Sequence, residues 1–186
     1  MKKAIMLSIR PKWVRKILNG EKTIEVRKKF PKEYKGWVYI YCTKNGGWCI
    51  VGTNGNKTYY HDYDNYTIPY NYIGNGRVVA RFWCDKVEEI KNKPFVNNPI
   101  RFTETLGETK LCQKSCLTTY DLQDYLQDKN GYAIHISKLE ISAVPKELSE
   151  FYGYTKRYEV FSDLLLPVKL NKAPQNYCYV MEEESL

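Results

Sequence analysis

The sequence contains no uninterrupted apolar run approaching the roughly 20 residues that a membrane-spanning helix needs. Its start, Met1-Lys-Lys-Ala-Ile-Met-Leu7, reaches Arg10 before an export-signal core develops, so a cytoplasmic location with no membrane partner is expected. In that compartment the six cysteines (Cys42, Cys49, Cys84, Cys112, Cys116 and Cys178) should stay reduced, most of them as small buried hydrophobes. Histidine is scarce, with only His61 and His135. Cys112-Gln-Lys-Ser-Cys116 has a spacing that can open a zinc site, but a tetrahedral set would have to draw two more ligands from the other cysteines or these histidines. Neither a metal nor another cofactor is expected. The chain also lacks an internal repeat and the strand–helix alternation of a parallel α/β sheet.

What is present is ordinary globular material. Apolar residues make up 43% and charged residues 27%, which excludes an intrinsically disordered chain. A length of 186 residues suits one buried core with sizeable loops and is short for two independent domains, so a single domain over 1–186 is expected. The charge is unevenly placed. Residues 1–36 hold twelve Lys or Arg against Glu21, Glu25 and Glu33, a net of +9 within a chain whose total is +8, so the remaining residues sum to −1. A positive field confined to one region points to an anionic partner, because each cation set against a phosphate releases counterions. The alternative is a basic surface that serves only solubility.

Residues 4–9 form a short apolar run that stops at Arg10-Pro11, where the residue before proline is pushed out of helical geometry; this predicts a strand. Pro11 suits the first position of a helix, and Trp13, Val14, Ile17 and Leu18 give it an apolar stripe up to the capping Gly20. From Lys22 the period changes to two, with Ile24 and Val26 on one face and Thr23, Glu25 and Arg27 on the other. Strands are expected at 37–42, at 76–84 continuing towards Ile90, at 132–141 and at 176–181, with a helix over 117–126 capped by Thr118 or Thr119 and turning Leu122, Tyr125 and Leu126 inward. Residues 44–76, rich in Tyr, Gly and Asn, read as an inserted hairpin or lid, and 92–99 as a punctuated connection. Several strands with a few short helices predict an α+β fold built as a mixed β-barrel.

Gly20-Glu-Lys-Thr-Ile-Glu-Val-Arg27 fits the pattern G-x-K-x-x-E-x-R. With Leu7-Ser-Ile-Arg-Pro11 before it, and Gly131-Tyr-Ala-Ile-His-Ile and Pro174-Gln-Asn-Tyr-Cys-Tyr179 after it, the chain resembles ASCH domains of the PUA-like superfamily, in particular phage and Firmicute members. The resemblance implies a PUA-like mixed β-barrel with short flanking helices and a cleft for RNA or a nucleotide-like ligand. It also implies two further activities seen among relatives: amidohydrolysis of N4-acylated cytidine and ribonuclease action. A phage-type protein that sequesters a nucleotide signal or blocks a host protein is a further alternative, which leaves a protein partner open. The small hydrolases it resembles carry threonine where this chain has Glu25. Thr23 lies one residue pair earlier, about 7 Å away at ordinary strand rise. Arg81, in Val79-Ala-Arg-Phe82, stands where related sequences are often acidic.

The residues themselves give the site a physical reading. Gly20 permits a sharp turn that would bring Lys22 to the mouth of a cleft, and Glu25 can orient Arg27 for bidentate recognition of a phosphate or base edge. Arg10 and Lys12 add charge, Gln175 can read a base edge, and Tyr177 can stack or simply pack. If there is catalysis, Lys22 and Glu25 are the proton-transfer pair. His135, in mid-strand, reads as a hydrogen-bonded scaffold residue.

Overall fold

Alternating apolar positions generate most of the elements. In the computed structural model they run β1 Lys3–Ile9, α1 Pro11–Leu18, β2 Ile24–Arg27, β3 Gly36–Cys42, β4 Gly52–Asn54, β5 Lys57–Tyr59, β6 Arg77–Cys84, β7 Val87–Ile90, α2 Glu108–Ser115, α3 Thr119–Leu126, β8 Gly131–His135, β9 Ser137–Glu147, β10 Tyr152–Glu159, β11 Ser162–Lys169 and β12 Tyr177–Met181. The structure describes residues 2–45, 47, 49, 51–54, 57–59, 73–91, 108–127, 129–159 and 162–182. Most of the Tyr-rich insertion at 44–76 and the connection at 92–99 lie outside the described residues.

The chain forms two compact units. The first comprises Met1–Arg15, Gly36–Phe82 and Leu139–Leu186. Its seven-stranded sheet has the order β11-β10-β12-β1-β3-β6-β9, and among the described residues no pairing joins the two ends. The sheet is mixed: β1 runs parallel to β3, with Ile5 opposite Val38, and antiparallel to β12, with Ile5 opposite Tyr179. One face packs Ala4, Met6, Tyr39, Tyr41, Val78, Phe151 and Val180 into a core, with the Tyr39 and Phe151 rings edge to face at 5.2 Å. On the other face Ile5, Leu7, Val38 and Ile40 are equally buried, so the central strands are apolar on both sides. Towards β12 and β10 that second face opens to solvent at Tyr179 and Tyr152.

The second unit comprises Lys16–Lys35 and Trp83–Lys138. Its sheet has the order β2-β8-β7, both pairs antiparallel, and α2 and α3 cover one face through Ile24, Val26, Ile90, Leu111, Leu122, Leu126 and Ala133. Thr118 caps α3: its hydroxyl accepts from the Asp121 N–H at 3.1 Å while the Asp121 carboxylate accepts from the Thr118 N–H at 2.8 Å. Gly131 is a close-approach position, because a Cβ there would sit 2.5 Å from Leu126 Cδ2 and 3.2 Å from the Arg27 carbonyl oxygen.

Several elements depart from the expectation. The strand expected from 76 to 90 is two strands, separated at Asp85-Lys86 and belonging to different sheets. The strand expected over 132–141 likewise divides at Ile136, whose N–H bonds the Thr23 carbonyl, and Lys138 takes φ +44°, which ends the two-residue alternation. Tyr125 does not turn inward; it is 38% exposed, and Lys28 Nζ lies 5.4 Å from its ring centroid. The stretch before Pro167, which carries no clear pattern, forms β10 and β11 paired from Tyr152↔Lys169 to Glu159↔Ser162.

Candidate functional site

The motif follows α1 through a turn at Gly20, which has φ +76° and donates its N–H to the Ile17 carbonyl. It is then bound to the end of α2. The Thr23 N–H donates to the Lys114 carbonyl at 2.8 Å, Lys22 Nζ donates to the Ser115 carbonyl at 2.7 Å, and the Cys116 thiol donates to the Glu21 carbonyl at 3.4 Å. Lys22 thus places its cation where the α2 carbonyls carry the negative end of the helix dipole. The chain does not bring Lys22 to the surface as the sequence implied. Its side chain is only 2% exposed, because α2, an element that the sequence did not announce, supplies the acceptor.

Glu25 sits between two cations. Its Oε2 is 3.3 Å from Lys22 Nζ and its Oε1 is 3.0 Å from Arg27 Nε, and the three side chains are 8%, 2% and 11% exposed in the order Glu25, Lys22, Arg27. The Arg27 Nε–H is close to the carboxylate yet not aligned for a hydrogen bond, so the contact is an ion pair. Thr23 lies before β2 and is exposed, unlike Glu25.

A further pair escaped the sequence reading. Register sets Glu25 opposite Ile134 and Ile24 opposite His135, while Glu88 stands opposite Ala133; directly paired residues share a face, so Glu88 and His135 lie on the helix-covered face, away from Glu25 and Arg27. Glu88 is 7% exposed, contacts Lys86 Nζ, and has Oε1 3.6 Å from His135 Nε2. Burial holds the His135 pKa below its ordinary 6.5, Glu88 and Asp85 push it up, and Lys86 and Lys114 push it down. The signal for Glu88 was present but ambiguous, because either phase of Val-Glu-Glu-Ile90 pairs one glutamate with one aliphatic residue.

In the first unit Arg10 and Gln175 are exposed, Lys12 Nζ lies 4.7 Å from the Trp13 ring centroid, and Tyr177 meets Tyr179 edge to face at 6.1 Å. Ser8 holds the segment before β12, donating its hydroxyl to the Pro174 carbonyl at 2.6 Å and its N–H to the Asn176 carbonyl at 3.4 Å. Arg81 donates from Nε to Glu140 Oε2 at 2.7 Å with its guanidinium 4.2 Å from the Trp37 ring centroid, so a carboxylate is present beside it, contributed by β9. The Cys112 thiol meets the Thr119 hydroxyl, and among the described residues no three His, Cys, Asp or Glu side chains gather as a metal site.

No family model matches the sequence, and a search of the curated proteins finds no match. Solved structures do match. The ASCH protein of Zymomonas mobilis superposes with a TM-score of 0.53 at 13% identity, covering 96% of this chain and 88% of that one. A serine-to-alanine variant of the same protein superposes with a TM-score of 0.50 at 13% identity, covering 96% of this chain and 89% of that one. At such identity the likeness is one of backbone architecture, and it agrees with the sheet-rich, short-helix organisation described above. The chain therefore has the fold of an ASCH domain.

Proposed function

We propose that this chain is an ASCH-type member of the PUA-like superfamily, with the mixed β-barrel of that group, and that it binds RNA or a nucleotide-like ligand. The observation that carries the reading is the Arg27 guanidinium set against Glu25, which is itself braced by Lys22. A planar guanidinium kept beside a carboxylate suits bidentate recognition of phosphate or a base edge. The net charge of +9 over residues 1–36 favours the same class of ligand. Arg10, Lys12, Gln175 and Tyr177 belong to the first unit, where Arg10 and Lys12 can contact phosphate, Gln175 a base edge and Tyr177 a base face in their own right.

Binding is favoured over catalysis. In a hydrolase acting on N4-acylated cytidine or RNA, Lys22 and Glu25 would have to exchange protons with a substrate, yet both are engaged with protein groups, and Thr23, the threonine within the motif, is exposed ahead of β2. The test is titration of labelled single-stranded RNA and of mononucleotides against the wild type and Arg27→Ala, with circular dichroism to verify folding. Affinity should fall at least about tenfold in the variant and should fall steeply with salt in the wild type. Equal affinity of wild type and variant would refute the assignment of Arg27. Release of cytidine from N4-acetylcytidine, lost in Lys22→Ala and Glu25→Gln variants that remain folded, would replace binding with hydrolysis.

A further inference from the structure

Apart from the motif, the first unit carries an aromatic and basic surface on its sheet. Because Gly153 pairs with Val180, and Val180 with Ala4 on the core side, the flanking residues of β10 and β12 face the opposite way. Register then sets two rows across the outer strands. One row runs Lys169, Tyr152, Met181, Lys3; the other places Tyr154 beside Tyr179. Tyr152 is 39% exposed and Tyr179 41%, and Lys3 and Lys169 are exposed at the two ends. The lysines lean over the rings: Lys3 Nζ is 5.3 Å from the Tyr154 centroid and Lys169 Nζ is 5.9 Å from that of Tyr152. Among the described side chains of these rows none is acidic.

We infer that this face of β10, β12 and β1 is a binding platform for a single-stranded polynucleotide. Two half-exposed tyrosines on adjacent strands, diagonal neighbours in the register and so about 7–8 Å apart, offer flat surfaces on which a strand with splayed bases can stack. The lysines at the row ends supply the charge complementarity: they can leave the rings for phosphates and release counterions as they do so. A paired duplex hides its base faces, so the platform selects unpaired strands. The inference shares the ligand class with the proposed function and adjoins its Tyr177, whose ring meets Tyr179, but it does not use Arg27, and its residues all belong to the first unit.

The experiment is fluorescence anisotropy on the full chain with end-labelled oligo(U), oligo(dT) of equal length and an RNA duplex. Tyr152→Ala/Tyr179→Ala should lose at least about tenfold in affinity for both single strands, within the range of two lost stacking contacts, with little change for the duplex. Tyr152→Phe/Tyr179→Phe should stay within about twofold of the wild type, since the stacking face is kept. Lys3→Ala/Lys169→Ala should flatten the salt dependence of single-strand binding by about 1.4 in the log–log slope. Wild-type affinity in the alanine pair overturns the inference, as does equal damage by alanine and phenylalanine. Arg27→Ala separates the two sites: if it alone abolishes binding while the alanine pair does not, the platform fails and the motif reading stands, and the reverse result supports the platform and removes the motif. A dimer seen by sedimentation in the wild type and lost in the alanine pair, without loss of single-strand binding, would also overturn it by marking the face as a self-interface.

Discussion

The buried cations of the two units are neutralised in different ways. In the second, Lys22 and Arg27 share Glu25, whose side chain is itself only 8% exposed. In the first, the β6 arginines Arg77 and Arg81 reach Glu147 and Glu140, which are 51% and 46% exposed. A carboxylate standing half in water loses little hydration and gives correspondingly little net energy, whereas a buried one is desolvated along with its partners, so losing it strands them. The contrast separates a charge array in which every member is largely buried from ion pairs whose carboxylates stay half in water.

The largest effect that would test the contrast is Glu25→Ala, which leaves Lys22 and Arg27 without their buried partner. It should destabilise the protein by about 3–5 kcal/mol in urea unfolding, and a loss below about 1 kcal/mol would place Glu25 in the same class as the surface partners. Glu140→Ala should cost less, about 1–3 kcal/mol in the same assay: it takes the carboxylate from the buried Arg81 guanidinium, but Arg81 keeps the Trp37 ring and the lost carboxylate was already half hydrated. A cost equal to that of Glu25 would erase the distinction.

The smallest effect concerns His135, which shares the second unit with the motif and bears on pH. Its folded pKa lies below 6.5, chiefly because burial disfavours the imidazolium. As pH falls through about 6.5 the unfolded chain takes up a proton that the folded chain resists, so stability is full above this point and declines on acidification until the folded pKa is passed. The urea midpoint should therefore fall between pH 7 and about 5, and His135→Gln should remove part of that slope. An unchanged slope in the variant would assign the acid sensitivity to other groups.

Local chemistry made the start of the chain legible. Arg10-Pro11, the apolar stripe through Leu18, Gly20 and the alternation from Ile24 to Arg27 each correspond to a boundary or element of the structure. The Thr118 cap was equally local, since it needs only an acidic residue three positions on. Sheet membership was not legible. Nothing within a few residues of Asp85-Lys86 or Ile136 tells that the chain is leaving one sheet for another, because the deciding bonds come from Thr23 and from strands distant in sequence. The same limit applies at the site. The motif's Lys22, Glu25 and Arg27 were visible as a pattern, but the Ser115 carbonyl that claims Lys22 lies 93 residues away in a helix whose weak apolar pattern gave no signal, and Glu88 could not be told from Glu89 without a partner strand.

Pro167 has a consequence for how the molecule behaves at high concentration. It lies in β11, the strand that ends the seven-stranded ladder among the described residues, and it pairs with Tyr154. A proline has no amide hydrogen to offer, so a strand arriving from another molecule meets a gap in the row of donors at that point, flanked by the exposed Lys169. The outer border of the sheet is thereby a poor template for edge-to-edge growth, and the platform beside it can remain open to solvent without recruiting a neighbouring copy into a longer sheet.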